Sequence, residues 1–232
     1  MPGHGERPVD QEQGDHTARR LIDEAAGELF GARREQLLLA ALARVEQAGV
    51  ADAEARAVTL ALLAQQDPAY LDRARATLDQ LVGIGASPHW ALVHLAEACL
   101  HAGQVDEALR YASEVDRGFF ERRDLLWRSV RMDEIRAAAL LRLGDLEGGT
   151  TAALAVCDVL TDRGDSDDLA PPADLVAVAL TCAGLADERA RAAGCRILDY
   201  LSGSLELGAW FPAETVHRIR SALADCARYP AR

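Results

Sequence analysis

The chain has 232 residues and a mass of 24.9 kDa, half of them hydrophobic and only 5% aromatic. A core drawn mainly from Ala, Leu and Val favours helices over pleated sheets and argues against an all-β fold. The 25 basic side chains are all Arg, and against 37 Asp and Glu they leave a net charge of -12, a sign that repels a phosphate backbone and excludes direct nucleic-acid binding. The absence of Lys reads first as codon bias in a GC-rich genome, and second as a preference for bidentate carboxylate binding.

The first twenty residues are polar and lack the apolar run of a secretory signal, so residues 1–14 are expected to be a disordered tail. No later stretch has the apolar length of a membrane span, and a cytoplasmic protein is expected. From there, apolar residues recur every three or four positions. This spacing predicts helices from Asp15 to Leu29, Ala32 to Ala48, Ala51 to Gln66, Pro68 to Ile84, Pro88 to Ala102 and Val105 to Arg117. Further helices are predicted from Asp124 to Leu143, Leu146 to Thr161, Pro171 to Ala183, Asp187 to Ser202 and Pro212 to Arg228. The expected fold is all-α, with about ten to eleven helices. Residues 15–232 are read as one helical domain, with repeats over 33–202 and a C-terminal capping segment over 204–232.

The punctuation between helices recurs. Gly49, Gly103, Gly144 and Gly184 each follow a small or apolar residue and precede an acidic one by three positions: Asp52, Asp106, Glu147 and Asp187. A Gly that tolerates positive φ closes one helix, and an acid near the next N-terminus meets the positive end of the helix dipole. The last two intervals are about 40 residues, within the range of two-helix repeats.

The segment 88–117 carries Leu92, Leu95-Ala96 and Cys99 on its first helix, Gly103 in its turn, and Ala108 and Ala112 on its second. In this pattern it resembles a tetratricopeptide repeat. A second copy, Asp133 to Val156, keeps Ala137, Gly144 and Ala153 but has Gly149 at the close-packing position. A third, Ala173 to Ile197, keeps Ala177 and Gly184 but places Arg189 there. HEAT-like helical pairs remain an alternative reading of the same turns. The turn Leu143-Gly144-Asp145-Leu146-Glu147 is also similar to repeat regions attached to actinobacterial transcription regulators, a likeness confined to their sensor or scaffold half.

The resemblance implies a right-handed superhelix of antiparallel helix pairs, a TPR-like α-solenoid whose concave face holds a peptide. It directs Trp90, Val93, Glu97, Leu100 and His101 to that groove, followed by Arg131, Glu134, Ala138 and Arg142, and then by Asp174, Val178 and Thr181. The two Arg residues could take a peptide carboxylate in a bidentate grip; pairing with Glu134 and other acids of this chain is the alternative.

Other candidates for chemistry are few. His94, Glu97 and His101 stand at i, i+3 and i+7, within roughly 60° on a helix, yet they span about 10.5 Å of axis, too far for one ion. An all-α enzyme or a small-molecule or metal-binding protein with a pocket near these three residues, and perhaps Trp127, is the alternative function. No nucleophile elbow, P-loop or dinucleotide fingerprint is present. Cys99, Cys157, Cys182, Cys195 and Cys226 include no CxxC pair and are expected to be buried thiols without zinc. The acidic stretch 162–168 lacks the distal Glu of a calcium loop and reads as a connection between repeats. Phe119 and Phe120 either plug a repeat junction or, with Trp127, form a patch for homodimerisation. The sequence therefore points to a non-enzymatic adaptor or regulatory protein that takes a protein or peptide partner, with no cofactor, no metal and no membrane association.

Overall fold

A computed structural model describes residues 9–26, 31–48, 52–162, 173–204 and 207–228, and every regular element among them is helical. The helices form two compact units, residues 1–104 and 105–232, where the sequence reading treats 15–232 as one domain. The boundary lies inside the segment that resembles a tetratricopeptide repeat. None of the described helices is long and apolar enough to cross a membrane.

The first unit contains α1 (Val9–Ala26), α2 (Ala32–Ala48), α3 (Ala53–Ala64), a 3-10 turn (Pro68–Tyr70), α4 (Leu71–Gly83) and α5 (His89–His101). Helix α1 starts earlier than expected, so residues 9–14 of the predicted tail are helical. Helix α3 is buried on all sides, from Ala57 to Ala64 without a break, which makes it the centre of the unit. It packs on α2, α4 and α5. Asp52 fixes its start by accepting a hydrogen bond from the Ala55 N–H at 3.3 Å.

The second unit contains α6 (Val105–Glu114), α7 (Arg117–Glu121), α8 (Leu126–Leu143), α9 (Leu146–Asp162), α10 (Ala173–Gly184), α11 (Glu188–Ser204), α12 (Leu207–Trp210) and α13 (Ala213–Arg228). The helix predicted from Val105 to Arg117 breaks at Asp116, whose carboxylate caps α7 through the Gly118 N–H at 3.0 Å. Phe119 and Phe120 on α7 are buried and meet edge to face, with centroids 5.1 Å apart, so they fill the interior beneath α7. Residues 163–168 of the acidic stretch lie outside the described residues.

Helices α8 and α9 pair, as do α10 and α11. In addition α8 packs on α10 and α9 on α11, so first helices adjoin first helices and second adjoin second. Gly144 closes α8 at φ +84°, and the Asp145 N–H returns to Leu140 O at 2.9 Å, the arrangement in which a left-handed residue satisfies the last carbonyls. Gly149 has a different task. A methyl group built on it would lie 2.7 Å from Leu141 Cγ, so its place at the close-packing position lets α9 approach α8.

Helix α13 closes the unit against α10 and α11. Cys195 on α11 and Cys226 on α13 are joined by a disulfide across a Cα–Cα distance of 5.9 Å. This corrects the expectation of five buried thiols: Cys99, Cys157 and Cys182 are buried thiols, whereas the half-buried Cys195 and Cys226 are bonded. The two lie 31 residues apart, and only the return of α13 onto α11 brings them together.

Candidate functional site

In the first unit a polar network sits where α2, the end of α3 and α5 converge. Arg34 on α2 donates from Nη2 to Gln65 Oε1 at 2.7 Å. Because the amide oxygen takes the guanidinium, the amide nitrogen must face α5. There Gln65 Nε2 lies 3.1 Å from Glu97 Oε2 and 3.3 Å from both His94 Nδ1 and His94 O. Two amide hydrogens serve three acceptors, so at least one bond is shared. Arg34 and His94 are each only 7% exposed. Burial lowers the Arg34 pKa, and the Glu97 carboxylate opposes that shift.

This placement separates the roles of the α5 candidates. His94 turns its Nδ1 to Gln65, Glu97 is half-buried beside it, and His101 is exposed one turn further on. Val93 and Leu100 are buried and Trp90 is half-buried. The side chain of Trp127 lies outside the described residues.

In the second unit the structure does gather the predicted charged strip, but it turns the strip inward. Arg131 Nη1 lies 2.6 Å from Glu134 Oε1, and Nη2 donates to Asp174 Oδ2 at 3.0 Å. Arg142 approaches Asp174 Oδ1 at 3.8 Å from the rim. The Arg131, Glu134 and Asp174 side chains are all under a tenth exposed, whereas Arg142 is 42% exposed. Ala138 and Val178 are buried, and Thr181 is exposed with its hydroxyl donating to Ala177 O at 2.8 Å. Of the two readings for Arg131, pairing within the chain is therefore the one realised. Its guanidinium holds two of the chain's own carboxylates, and a peptide could displace them only by leaving buried charge uncompensated.

On α7, α8 and α9 of this unit lies an open cleft of about 600 Å³. Arg117, Asp133 and Arg136 line one side, Asp145, Glu147, Gly148 and Thr151 the other, and Leu140, Ala152 and Ala155 supply apolar surface. Arg117 donates from Nη1 to Asp133 Oδ2 at 2.6 Å and from Nε to Glu121 at 2.9 Å. Arg136 is only loosely held, 3.7 Å from Asp133 Oδ1, and is 46% exposed. On the opposite wall Asp145 accepts from the Gly148 N–H at 2.9 Å, capping α9. The turn at this end also exposes two large apolar side chains, Leu143 at 45% and Leu146 at 47%.

Sequence reasoning missed this cleft. One signal for it was present, the Gly148-Gly149 pair in the first turn of α9, where helix propensity alone would disfavour both residues. Compared with family models, curated proteins and solved structures, the chain matches none of them. The likeness to tetratricopeptide repeats accordingly rests on the residues quoted for it.

Proposed function

We propose that the protein is a non-enzymatic, TPR-like helical adaptor of the cytoplasm that holds a peptide segment of a partner protein on the α8–α9 face of its second unit. The observation that carries this reading is the open cleft of mixed charge with apolar surface from Leu140, Ala152 and Ala155; the exposed Leu143 and Leu146, which flank the turn joining α8 to α9, add apolar surface to the same helix pair, and such surface marks interaction sites. The layering of α8 on α10 and of α9 on α11 supports a repeat-like, solenoid arrangement, in which outer helix faces remain open for binding. A suitable peptide places an acidic side chain at Arg136, a small apolar one over Ala152 and Ala155, and a basic one near Glu147. The buried Arg131, Glu134 and Asp174 act from below, by fixing α8 against α10.

Selection of short peptides from a display library, followed by titration of the enriched sequences, tests this. Arg136→Glu and Glu147→Arg should each weaken the selected peptides about tenfold or more, while Arg218→Glu on exposed α13 should not. Equal affinity for all four proteins, or failure to enrich any peptide, would remove the assignment.

A second reading draws on the buried network of the first unit, namely an all-α enzyme or a small-molecule or metal-binding protein acting near His94, Glu97 and His101. A stoichiometric transition metal in the purified protein that is lost in His94→Ala would favour it.

A further inference from the structure

The disulfide joins α11 to a helix, α13, that buries few of its own side chains. Among the residues of α13, only Val216 and Ile219 are buried, and both lie in its first half. From Arg220 to Arg228 no side chain is buried; Ala222, Leu223 and Cys226 are intermediate and the rest are exposed. Along a helix, Val216, Ile219 and Cys226 share one stripe, so the sulfur bridge continues the line of anchoring after the apolar contacts end. Its partner Cys195 lies on α11 between the buried Gly194 and Ile197.

Accessibility distinguishes this pair from the other cysteines. Cys195 and Cys226 are half-buried, so a soluble thiol can reach the bridge, whereas Cys99, Cys157 and Cys182 are at most 2% exposed. Burial also pushes the Cys157 and Cys182 thiols up to about 11, which leaves little thiolate to exchange near neutral pH. Exchange chemistry is thereby confined to one pair at the edge of one helix.

We propose that the Cys195–Cys226 bond is a reversible redox latch that fastens the second half of α13, residues 220–228, to α11. A dithiol reductant opens it in two balanced steps. The thiolate of the reductant attacks one sulfur, and the other cysteine leaves as a thiolate that takes a proton. The second thiol of the reductant then displaces the first cysteine, giving two cysteine thiols and one oxidised, disulfide-bonded reductant. A low-molecular-weight disulfide closes the latch by the reverse exchange. In a cytoplasmic setting such bonds are transient and sensing rather than permanent, which is the behaviour a latch requires.

Hydrogen exchange on the full-length protein, equilibrated with oxidised or reduced dithiothreitol, tests the proposal. Reduction should speed exchange of amides 220–228 by about tenfold to a hundredfold and leave α8 to α11 unchanged. Cys226→Ser and Cys195→Ser should each exchange like the reduced protein and no longer respond to the reductant. Three results would overturn the latch: equal exchange of 220–228 in both states, loss of protection throughout the second unit on reduction, or five reactive thiols after denaturation of the oxidised sample.

Discussion

Among the described residues each unit buries one guanidinium, and the two are neutralised in different ways. In the first unit Arg34 reaches the Glu97 carboxylate through an amide, with Gln65 accepting on one side and donating on the other. In the second, Arg131 touches Glu134 and Asp174 directly. The relay spreads one positive and one negative charge across a neutral group, so neither ion depends wholly on the other. The direct cluster sets two acids around one buried base, and Arg142 at the rim adds a second positive charge 3.8 Å from Asp174. The difference teaches that a buried charge is held either by a dipole that can share its hydrogen bonds, or by an ion that cannot be removed without leaving two others in an apolar interior.

Arg131→Met breaks the direct cluster and should have the largest effect. It leaves two carboxylates buried without their cation, and stability should fall by about 3–5 kcal/mol, read by urea denaturation and by loss of hydrogen-exchange protection in α8 and α10. A change below about 1 kcal/mol would show that the acids find another partner. Gln65→Leu breaks the relay instead. Here the charges lose hydrogen bonds but keep each other's field, so a smaller loss of about 1–3 kcal/mol is expected, confined to α2, α3 and α5. Equal losses in the two variants would dissolve the distinction between relay and cluster.

The second unit should also respond to alkali. The Cys157 and Cys182 thiols are raised from 9.0 to about 11, mainly by burial, so the folded state holds their protons more tightly than the unfolded chain. This contribution is complete below about pH 9 and is lost as pH rises through about 11. The urea midpoint should decline across that window, and Cys157→Ala with Cys182→Ala should flatten the decline.

The sequence made some of this legible. Helix α2 has the predicted limits, Gly103 and Gly144 adopt positive φ, and Asp187 caps α11 by accepting from the Ala190 N–H at 2.7 Å, because these features depend on neighbours within a turn. Features set by contact between distant helices were harder to see. The turn pattern predicts a left-handed residue at Gly184, which instead belongs to α10 without positive φ. In the third copy Arg189 stood at the small position, yet it is exposed, and the close approach falls at Gly194, where a methyl group would lie 2.6 Å from Ala179 O. Arg131, Glu134, Arg142 and Asp174 come together in the structure, but a sequence pattern does not give their direction, since such side chains usually face water and the packing of α10 on α8 reverses that rule here. The cleft draws its walls from Arg117 and Asp133, sixteen positions apart, and from the start of α9, a combination that no local pattern announces.

The smallest effect is expected at Arg142, and it sharpens the comparison most narrowly. If the direct cluster needs its outer counter-charge, Arg142→Ala should destabilise the second unit at low salt, but only by up to about 1 kcal/mol, because the side chain is 42% exposed and stands 3.8 Å from Asp174. Raising ionic strength should erase the difference, since mobile ions screen an exposed pair far more than a buried one. The Arg131→Met deficit should survive the same salt, because the groups it leaves behind are nearly inaccessible to those ions. A deficit in Arg142→Ala that persists at high salt would mean that this residue is part of the buried cluster rather than its rim, and that the second unit neutralises its two acids with two bases of equal standing.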